Sequence, residues 1–156
     1  MFEQLTEKFT KYVCKNDATS FIGLFSDKGI YHDYIYGSFK GKSKIKLMLN
    51  NYFHRDAENF YWSMYDHVFS ENIGYAKFRF AFTSKIPTYL GKKVVIAGTS
   101  FFRLKSGLII EYSESVNGGL AMIQLGVRPE KIEKVFLKWL KRSFDEDHNL
   151  KLLNNV

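Results

Sequence analysis

The sequence predicts an α+β fold, in which helices gather at the start of the chain and a curved, mainly antiparallel sheet follows them. Two patterns of apolar residues carry this prediction. Spacings of three and four residues, typical of amphipathic helices, dominate much of residues 2–53, whereas residues 58–116 favour the period of two that strands have. The length of 156 residues suits a single domain.

Helices are predicted before the long strands and again at the end of the chain. The first has an apolar stripe on one face. The stripe consists of Phe2, Leu5, Phe9, Tyr12 and Val13. Asp17 is a suitable N-cap for a second, short helix, and a third is expected over residues 43–53. A C-terminal helix is expected over residues 129–144, because Pro129 suits a first helical turn.

The strands are predicted from aromatic and β-branched residues and from the turns between them. A turn at residues 26–29 precedes a first strand over residues 30–36, and a glycine-flanked loop, residues 37–41, follows it. Longer strands come next, at residues 58–70, 76–82, 94–104 and 108–116. We therefore expect four to five strands, and strands of this length twist and curl.

A curled sheet with helices against it forms a cup, and its inner face is expected to carry alternating aromatic residues. These are Trp62, Phe78, Phe80, Phe82 and Phe102. An apolar cup with a few polar groups is the usual form of a small-molecule site. The expected ligand is therefore a small, largely apolar molecule.

The chain is basic, with 23 Lys and Arg against 16 Asp and Glu and a net charge of +7. Residues 40–55 and 72–110 carry basic residues and no acidic ones. Such clusters leave open an anionic ligand or nucleic acid. Many of the basic residues lie at turns and strand edges, where charge prevents edge-to-edge pairing, so we do not expect a nucleic-acid partner.

Cysteine usage and hydropathy bear on location and cofactors. Cys14 is the single cysteine, which excludes an internal disulfide framework. Since no apolar run approaches the roughly 20 residues of a membrane span, we expect a cytoplasmic protein without a membrane partner. The His, Cys, Asp and Glu residues lack the spacing of metal ligands, so we expect neither a metal nor another cofactor.

Four segments carry a family resemblance. They are Ile30-Tyr31-His32-Asp33, the loop of residues 37–41 that leads into a helix, Gly98-Thr99-Ser100-Phe101-Phe102 and residues 107–126. They resemble the SnoaL-like proteins, a branch of the NTF2-like family that includes polyketide cyclases. The resemblance implies an NTF2-like cone domain over residues 1–126, with residues 127–156 as a C-terminal helix and tail of the same domain. It also implies a homodimer formed through the outer face of the sheet.

The last of these segments is the most similar to the cyclases. SnoaL-like cyclases have a glutamate, then His-Trp-Asp and soon afterwards Gln-Leu-Gly near the end of this strand. Glu111 and Gln124-Leu125-Gly126 match, whereas Tyr112-Ser113-Glu114 stands in place of His-Trp-Asp. That aspartate is the proposed general acid/base of the cyclases, so the resemblance gives Glu114 this role. The cyclase substrate does not carry over, because Tyr112 replaces the histidine.

Four residues are candidates for catalysis: Glu114 as the acid/base, Asp33 as a second polar group, and Tyr112 and His32 as hydrogen-bond partners. The neighbours His32 and Asp33 point to opposite faces of a strand, so only one of them can enter the cup. For Glu114 the alternative is a place at a dimer interface or on the wet face of the sheet. For Asp33 the alternative is a structural role as the capping partner of a turn or helix.

Eight further residues are candidates for ligand contact. They are Trp62, Met64, Asp66, Phe78, Phe80, Phe82, Ser100 and Phe102. Asp66 has the parity of Trp62 and Met64, which would place it on the inner face. The alternative is a structural ion pair with Arg79 or Arg103.

Two functions remain open from the sequence. The first is an enzyme that performs cofactor-free acid/base chemistry, such as isomerisation, cyclisation, dehydration or hydrolysis, on a small apolar molecule. The second is a non-catalytic NTF2-like module that binds a ligand or another protein. The enzyme requires Glu114 and Asp33 to converge in one pocket, whereas the non-catalytic module does not.

Overall fold

The computed structural model describes residues 1–146, and six strands form its single sheet. The strands are β1 (Phe25–Asp33), β2 (Gly37–Lys40), β3 (Ala57–Ser70), β4 (Ile73–Ser84), β5 (Lys93–Lys105) and β6 (Leu108–Val116). Their order is β2-β1-β6-β5-β4-β3, with β1 parallel to β6 and every other neighbour antiparallel. The predicted α+β fold with a curved, mainly antiparallel sheet is confirmed, and the sheet does not close.

Helices flank the sheet in sequence. They are α1 (Phe2–Cys14), α2 (Ala18–Gly23), α3 (Lys42–Met48), α4 (His54–Asp56), α5 (Gly118–Leu125) and α6 (Pro129–Glu146). A π-helical turn, Leu49–Phe53, joins α3 to α4. The predicted cap of α2 is confirmed, because Oδ1 of Asp17 accepts a hydrogen bond of 3.0 Å from the backbone N–H of Ser20.

The sheet has one strand more than the sequence predicted. Residues 37–41 were expected to form a loop, but Gly37–Lys40 pairs with β1 as a short hairpin strand. The expected turn at residues 26–29 lies within β1, where the pairing with β6 shifts register between Phe25 and Ile30. A bulge of this kind lets one strand continue through a sequence that resembles a turn.

The core lies between α1 and the inner face of the sheet, with Phe9 at its centre. The Phe9 side chain is fully buried. Its ring centroid lies 5.5 Å from that of Trp62 on β3, 5.4 Å from Phe102 on β5 and 4.7 Å from Tyr112 on β6. Because these contacts span the width of the sheet, α1 fixes the curvature that shapes the cup.

The chain divides into two compact units, Met1–Leu125 and Gly126–Val156. The second unit holds the predicted C-terminal helix, observed as α6, in which the rings of Phe136 and Trp139 lie 5.6 Å apart. The predicted tail beyond residue 146 lies outside the described residues. None of the helices described is long and apolar enough to cross a membrane.

Candidate functional site

An apolar cavity of ≈ 50 Å³ lies at the end of the cone where β1 and β6 finish. Four predicted aromatic residues line it: Trp62, Phe78, Phe80 and Phe82. Both predicted carboxylic acids, Asp33 and Glu114, line it as well. The two carboxyl groups therefore share one space with aromatic walls.

Glu114 lies at the end of a buried chain of hydroxyl groups. The Tyr112 hydroxyl donates a hydrogen bond of 3.1 Å to Oε2 of Glu114, and it lies 3.0 Å from Oγ of Ser100. Ser100 pairs with Glu114 across β5 and β6, and Tyr112 precedes Glu114 by two positions on the same face. Strand pairing alone thus brings these three polar side chains together.

The environment of Glu114 favours its protonated form. Burial and the charge of the neighbouring Asp33 raise the pKa of Glu114 from 4.5 to about 8. The hydrogen bonds from the Tyr112 hydroxyl and the Tyr34 backbone N–H act in the opposite direction and do not cancel this shift in pKa. This shift in pKa favours the protonated form of the Glu114 carboxyl group at neutral pH.

Asp33 occupies the last position of β1 and closes the turn to β2. Its Oδ1 accepts hydrogen bonds from the backbone N–H groups of Ile35, at 2.8 Å, and Tyr36, at 2.7 Å. Only 5% of the residue is exposed. Two backbone donors on one oxygen stabilise a negative charge on this carboxylate.

Two buried tyrosines stand behind the carboxyl groups. Burial, together with the negative charge of Glu114, raises the pKa of Tyr31 and of Tyr112 well above 10, so both hydroxyl groups stay protonated. The rings of Tyr31 and Tyr112 lie 4.6 Å apart. Among the described residues, Tyr31 Oη and Trp62 Nε1 are the buried side-chain atoms without a hydrogen-bond partner. Tyr31 was not predicted as a site residue.

Sequence comparison decides the family. The family model described as the SnoaL-like domain matches residues 6–112. The chain belongs to the SnoaL-like family. No significant match was found among curated proteins.

Solved structures of other proteins share this fold. A hypothetical protein with a ketosteroid isomerase-like fold from Catenulispora acidiphila, in complex with trimethylamine, is 13% identical with a TM-score of 0.71. The alignment covers 80% of this chain and 93% of that chain. TsrD from Streptomyces laurentii is 15% identical over 81% of this chain and 96% of its own, with a TM-score of 0.70. An LEH-like epoxide hydrolase from M. tuberculosis is 11% identical over 79% and 87%, with a TM-score of 0.65. At such identities the likeness shows the fold alone.

His32 lies on the other face of β1 in this SnoaL-like domain. Its Nδ1 lies 2.8 Å from Oγ of Ser38, and its Nε2 lies 3.5 Å from a carboxylate oxygen of Glu111. Asp33 is among the residues that line the cavity, whereas His32 is not.

Asp66 is not on the inner face, so its predicted placement beside Trp62 and Met64 is wrong. Its carboxylate is exposed and lies 2.9 Å from Nζ of Lys77. The cause is a bulge in β3 between Tyr65 and Val68, where Asp66 adopts a positive φ of 52°. An extra residue in a strand reverses the alternation of faces beyond it.

Three other predicted contact residues lie outside the cavity wall. Ser100 and Phe102 are fully buried beneath it, and Met64 is partly buried against the core. The Ser100 hydroxyl lies 3.0 Å from the Tyr112 hydroxyl, while Phe102 packs on Phe9. The periodicity identified these residues as inward-facing but did not reveal their depth.

Several residues of the cavity wall were not predicted from the sequence. Tyr34 and Ile35 come from the β1–β2 turn, and Phe53 comes from the π-helical turn. Gly118 and Ala121 come from α5, a helix that the sequence did not predict because the Gly118-Gly119 pair is typical of a turn. No local pattern signals these positions, since tertiary contacts create them.

Gln124, the first residue of the Gln124-Leu125-Gly126 motif, holds α5 in place on the sheet. Oε1 of Gln124 accepts a hydrogen bond of 2.9 Å from the Val95 N–H, and its Nε2 donates one of 3.0 Å to the Val95 carbonyl oxygen. The side-chain amide therefore pairs with β5 as a neighbouring strand would, beyond the point where β6 ends. These hydrogen bonds hold α5 in position, and α5 supplies one wall of the cavity.

Proposed function

We propose that the cavity binds a small, largely apolar molecule and that Glu114 and Asp33 exchange protons with it. The single observation behind this proposal is that two carboxyl groups line one apolar cavity and differ in their surroundings. Carboxyl pairs with divergent environments are typical of acid/base sites.

The two carboxyl groups have distinct roles in this proposal. Two negative charges in one apolar cavity repel each other, so one group keeps a proton at neutral pH. The two backbone donors on Oδ1 favour charge on Asp33, and the raised pKa of Glu114, about 8, favours a proton there. Asp33 is therefore the base and Glu114 the acid.

A β,γ-unsaturated ketone illustrates the chemistry. Asp33 removes a proton from the α carbon, between the carbonyl group and the double bond, while Glu114 gives its proton to the carbonyl oxygen, which yields a dienol. Return of the proton from Asp33 to the γ carbon, and of the hydroxyl proton to Glu114, gives the conjugated isomer and restores both groups. Positioned proton transfer of this kind contributes about 10²- to 10⁴-fold to a rate.

Cavity size limits the ligand. The volume of ≈ 50 Å³ is far below the roughly 300–1,000 Å³ of sites for drug-sized ligands. A cyclic or aromatic molecule therefore requires the cavity to widen. The small volume is also the observation that favours the second candidate function, a non-catalytic NTF2-like module.

A homodimer through the outer face of the sheet belongs to the same proposal. Tyr61, Tyr75 and Val95 are 60%, 46% and 58% exposed. Tyr61 and Val95 both pair with Ala81, on opposite sides of β4, so they share one face of the sheet. One chain has a mass of 18.3 kDa, and light scattering should give twice this mass. Tyr75→Glu should yield monomers.

Turnover of a panel of cyclic ketones and epoxides tests the catalytic proposal. We expect Glu114→Gln to slow the reaction by at least about 10²-fold, because the amide cannot donate an acidic proton. Asp66→Asn is the matched control, since it neutralises an exposed carboxylate outside the cavity. If the wild type binds a compound of the panel without converting it, and Glu114→Gln binds the same compound, the result would favour the non-catalytic module.

A further inference from the structure

A second cavity lies at the opposite end of the strands and is about five times larger, at ≈ 260 Å³. Ile96 lines the Glu114 cavity and Leu104 lines the second one, and the two residues are eight positions apart on β5, about 26 Å of strand. None of the proposed acid/base residues contributes to the second cavity. It is therefore a separate site within the cone.

The floor of this cavity is rigid because Phe2 holds it in place. The Phe2 ring stacks on Phe69 at 5.1 Å and meets Phe102 edge-on at 5.4 Å. The ring lies directly over Gly74, where any Cβ atom would overlap it. Phe2 and Leu104 are both buried, so the floor is part of the packed core rather than a loose surface groove.

The walls combine apolar side chains with cationic groups. Leu5, Leu24 and Leu108 form apolar walls, and the cationic groups of the lining residues are the Lys8 side chain on α1 and the α-ammonium group of Met1. The lining residues that the structure describes include no acidic side chain. An apolar body with a single negative charge at one end matches this arrangement.

We propose that the second cavity binds a medium-chain aliphatic carboxylate, with the chain between the leucine walls and the carboxylate paired with Lys8. The volume lies just below the roughly 300 Å³ at which small-molecule sites begin, which suits a chain of modest length. The site is independent of the proposed chemistry at Glu114.

Calorimetric titration of the whole chain with octanoate, and with 1-octanol as the neutral analogue, tests this proposal. We expect octanoate to bind saturably, and Lys8→Glu to raise its Kd by about tenfold or more because the new charge repels the carboxylate. Lys11→Glu, on an exposed part of the same helix, is the matched control and should leave the Kd unchanged. Leu108→Asp, which alters a 38% exposed wall residue, should also weaken binding.

Three outcomes would overturn the proposal. They are the absence of saturable binding by the wild type, an unchanged Kd in both Lys8→Glu and Leu108→Asp, and octanol binding as tightly as octanoate. Glu114→Gln distinguishes between the two cavities. We expect this variant to leave the octanoate Kd unchanged, whereas a loss of octanoate binding would show that octanoate binds in the Glu114 cavity instead. Circular dichroism of each variant verifies that the fold is intact.

Discussion

The Tyr112 hydroxyl donates a hydrogen bond of 3.1 Å to the Glu114 carboxyl group, two positions further along the same strand. In the resemblance to the SnoaL-like cyclases, these two residues stand in place of the histidine and the aspartate of the His-Trp-Asp stretch. Because Tyr112 also contacts Ser100, loss of its hydroxyl group affects two buried partners.

We predict that Tyr112→Phe lowers the free energy of unfolding by about 1–3 kcal/mol, because Ser100 loses its buried hydrogen-bond partner and Glu114 loses a donor. Urea denaturation measures this difference. Tyr61→Phe removes a hydroxyl group from a tyrosine that is 60% exposed and should have almost no effect. Equal effects of the two substitutions would show that the Tyr112 hydroxyl has no stabilising role.

Stability should depend on pH through Glu114. Its pKa is about 8 in the folded protein and 4.5 ordinarily, so between these values the folded state binds one proton more than the unfolded state. The stabilisation is complete below pH 4.5 and is lost as the pH rises through 8. At about 1.4 kcal/mol per pKa unit, the decrease amounts to several kcal/mol.

Glu114→Gln should flatten this dependence, because the amide does not titrate. Urea denaturation at several values between pH 5 and pH 9 provides the comparison, with Asp66→Asn as the control that keeps the wild-type slope. If wild type and Glu114→Gln show the same slope, Glu114 does not titrate in this range.

The regular strands could be predicted from the sequence, and the irregular ones could not. The pairing of β4 with β5 runs without a register shift from Ile73 to Thr83, so simple alternation correctly sends Phe78, Phe80 and Phe82 into the cavity. The bulge in β3 places Asp66 at a positive φ and breaks the same rule. Non-local strand pairing decides where a bulge forms, and periodicity carries no information about it.

The walls that come from helices were the least predictable part of the site. Glycine disfavours helix formation, so Gly118-Gly119 indicates a turn on local grounds. In the structure both glycines are buried in α5, which the pairing of Gln124 with Val95 holds against β5. The Gln124-Leu125-Gly126 motif was visible in the sequence, but its contact was not.

We expect Gln124→Ala to lower the free energy of unfolding by about 0.5–1.5 kcal/mol, since two hydrogen bonds to the backbone of Val95 are lost. Hydrogen exchange should show faster exchange of the Val95 amide, which Gln124 protects in the wild type. Ile123→Ala changes a neighbouring residue that is 64% exposed and should leave this exchange rate unaltered. Equal exchange rates of the Val95 amide in Gln124→Ala and wild type would show that Gln124 does not hold α5 against β5.

Gly98 provides a test of packing beside the cavity. A Cβ atom at this position would overlap the Phe78 ring and the backbone oxygen of Ser115. We predict that Gly98→Ala lowers the free energy of unfolding by about 1–3 kcal/mol through overpacking. Gly23→Ala is the matched control, because no heavy atom lies within 4 Å of the added Cβ, and it should not destabilise the protein.

The proposed acid/base pair requires Glu114 to remain protonated at neutral pH beside a charged Asp33. Nuclear magnetic resonance of ¹³C-labelled glutamate carboxyl groups, assigned by comparison with Glu114→Gln, measures the protonation of Glu114 directly. We predict that the Glu114 resonance titrates with a pKa near 8, and that Asp33→Asn lowers this pKa because a neighbouring negative charge is removed. A Glu114 resonance that titrates near 4.5 and does not respond to Asp33→Asn would contradict the proposed pair.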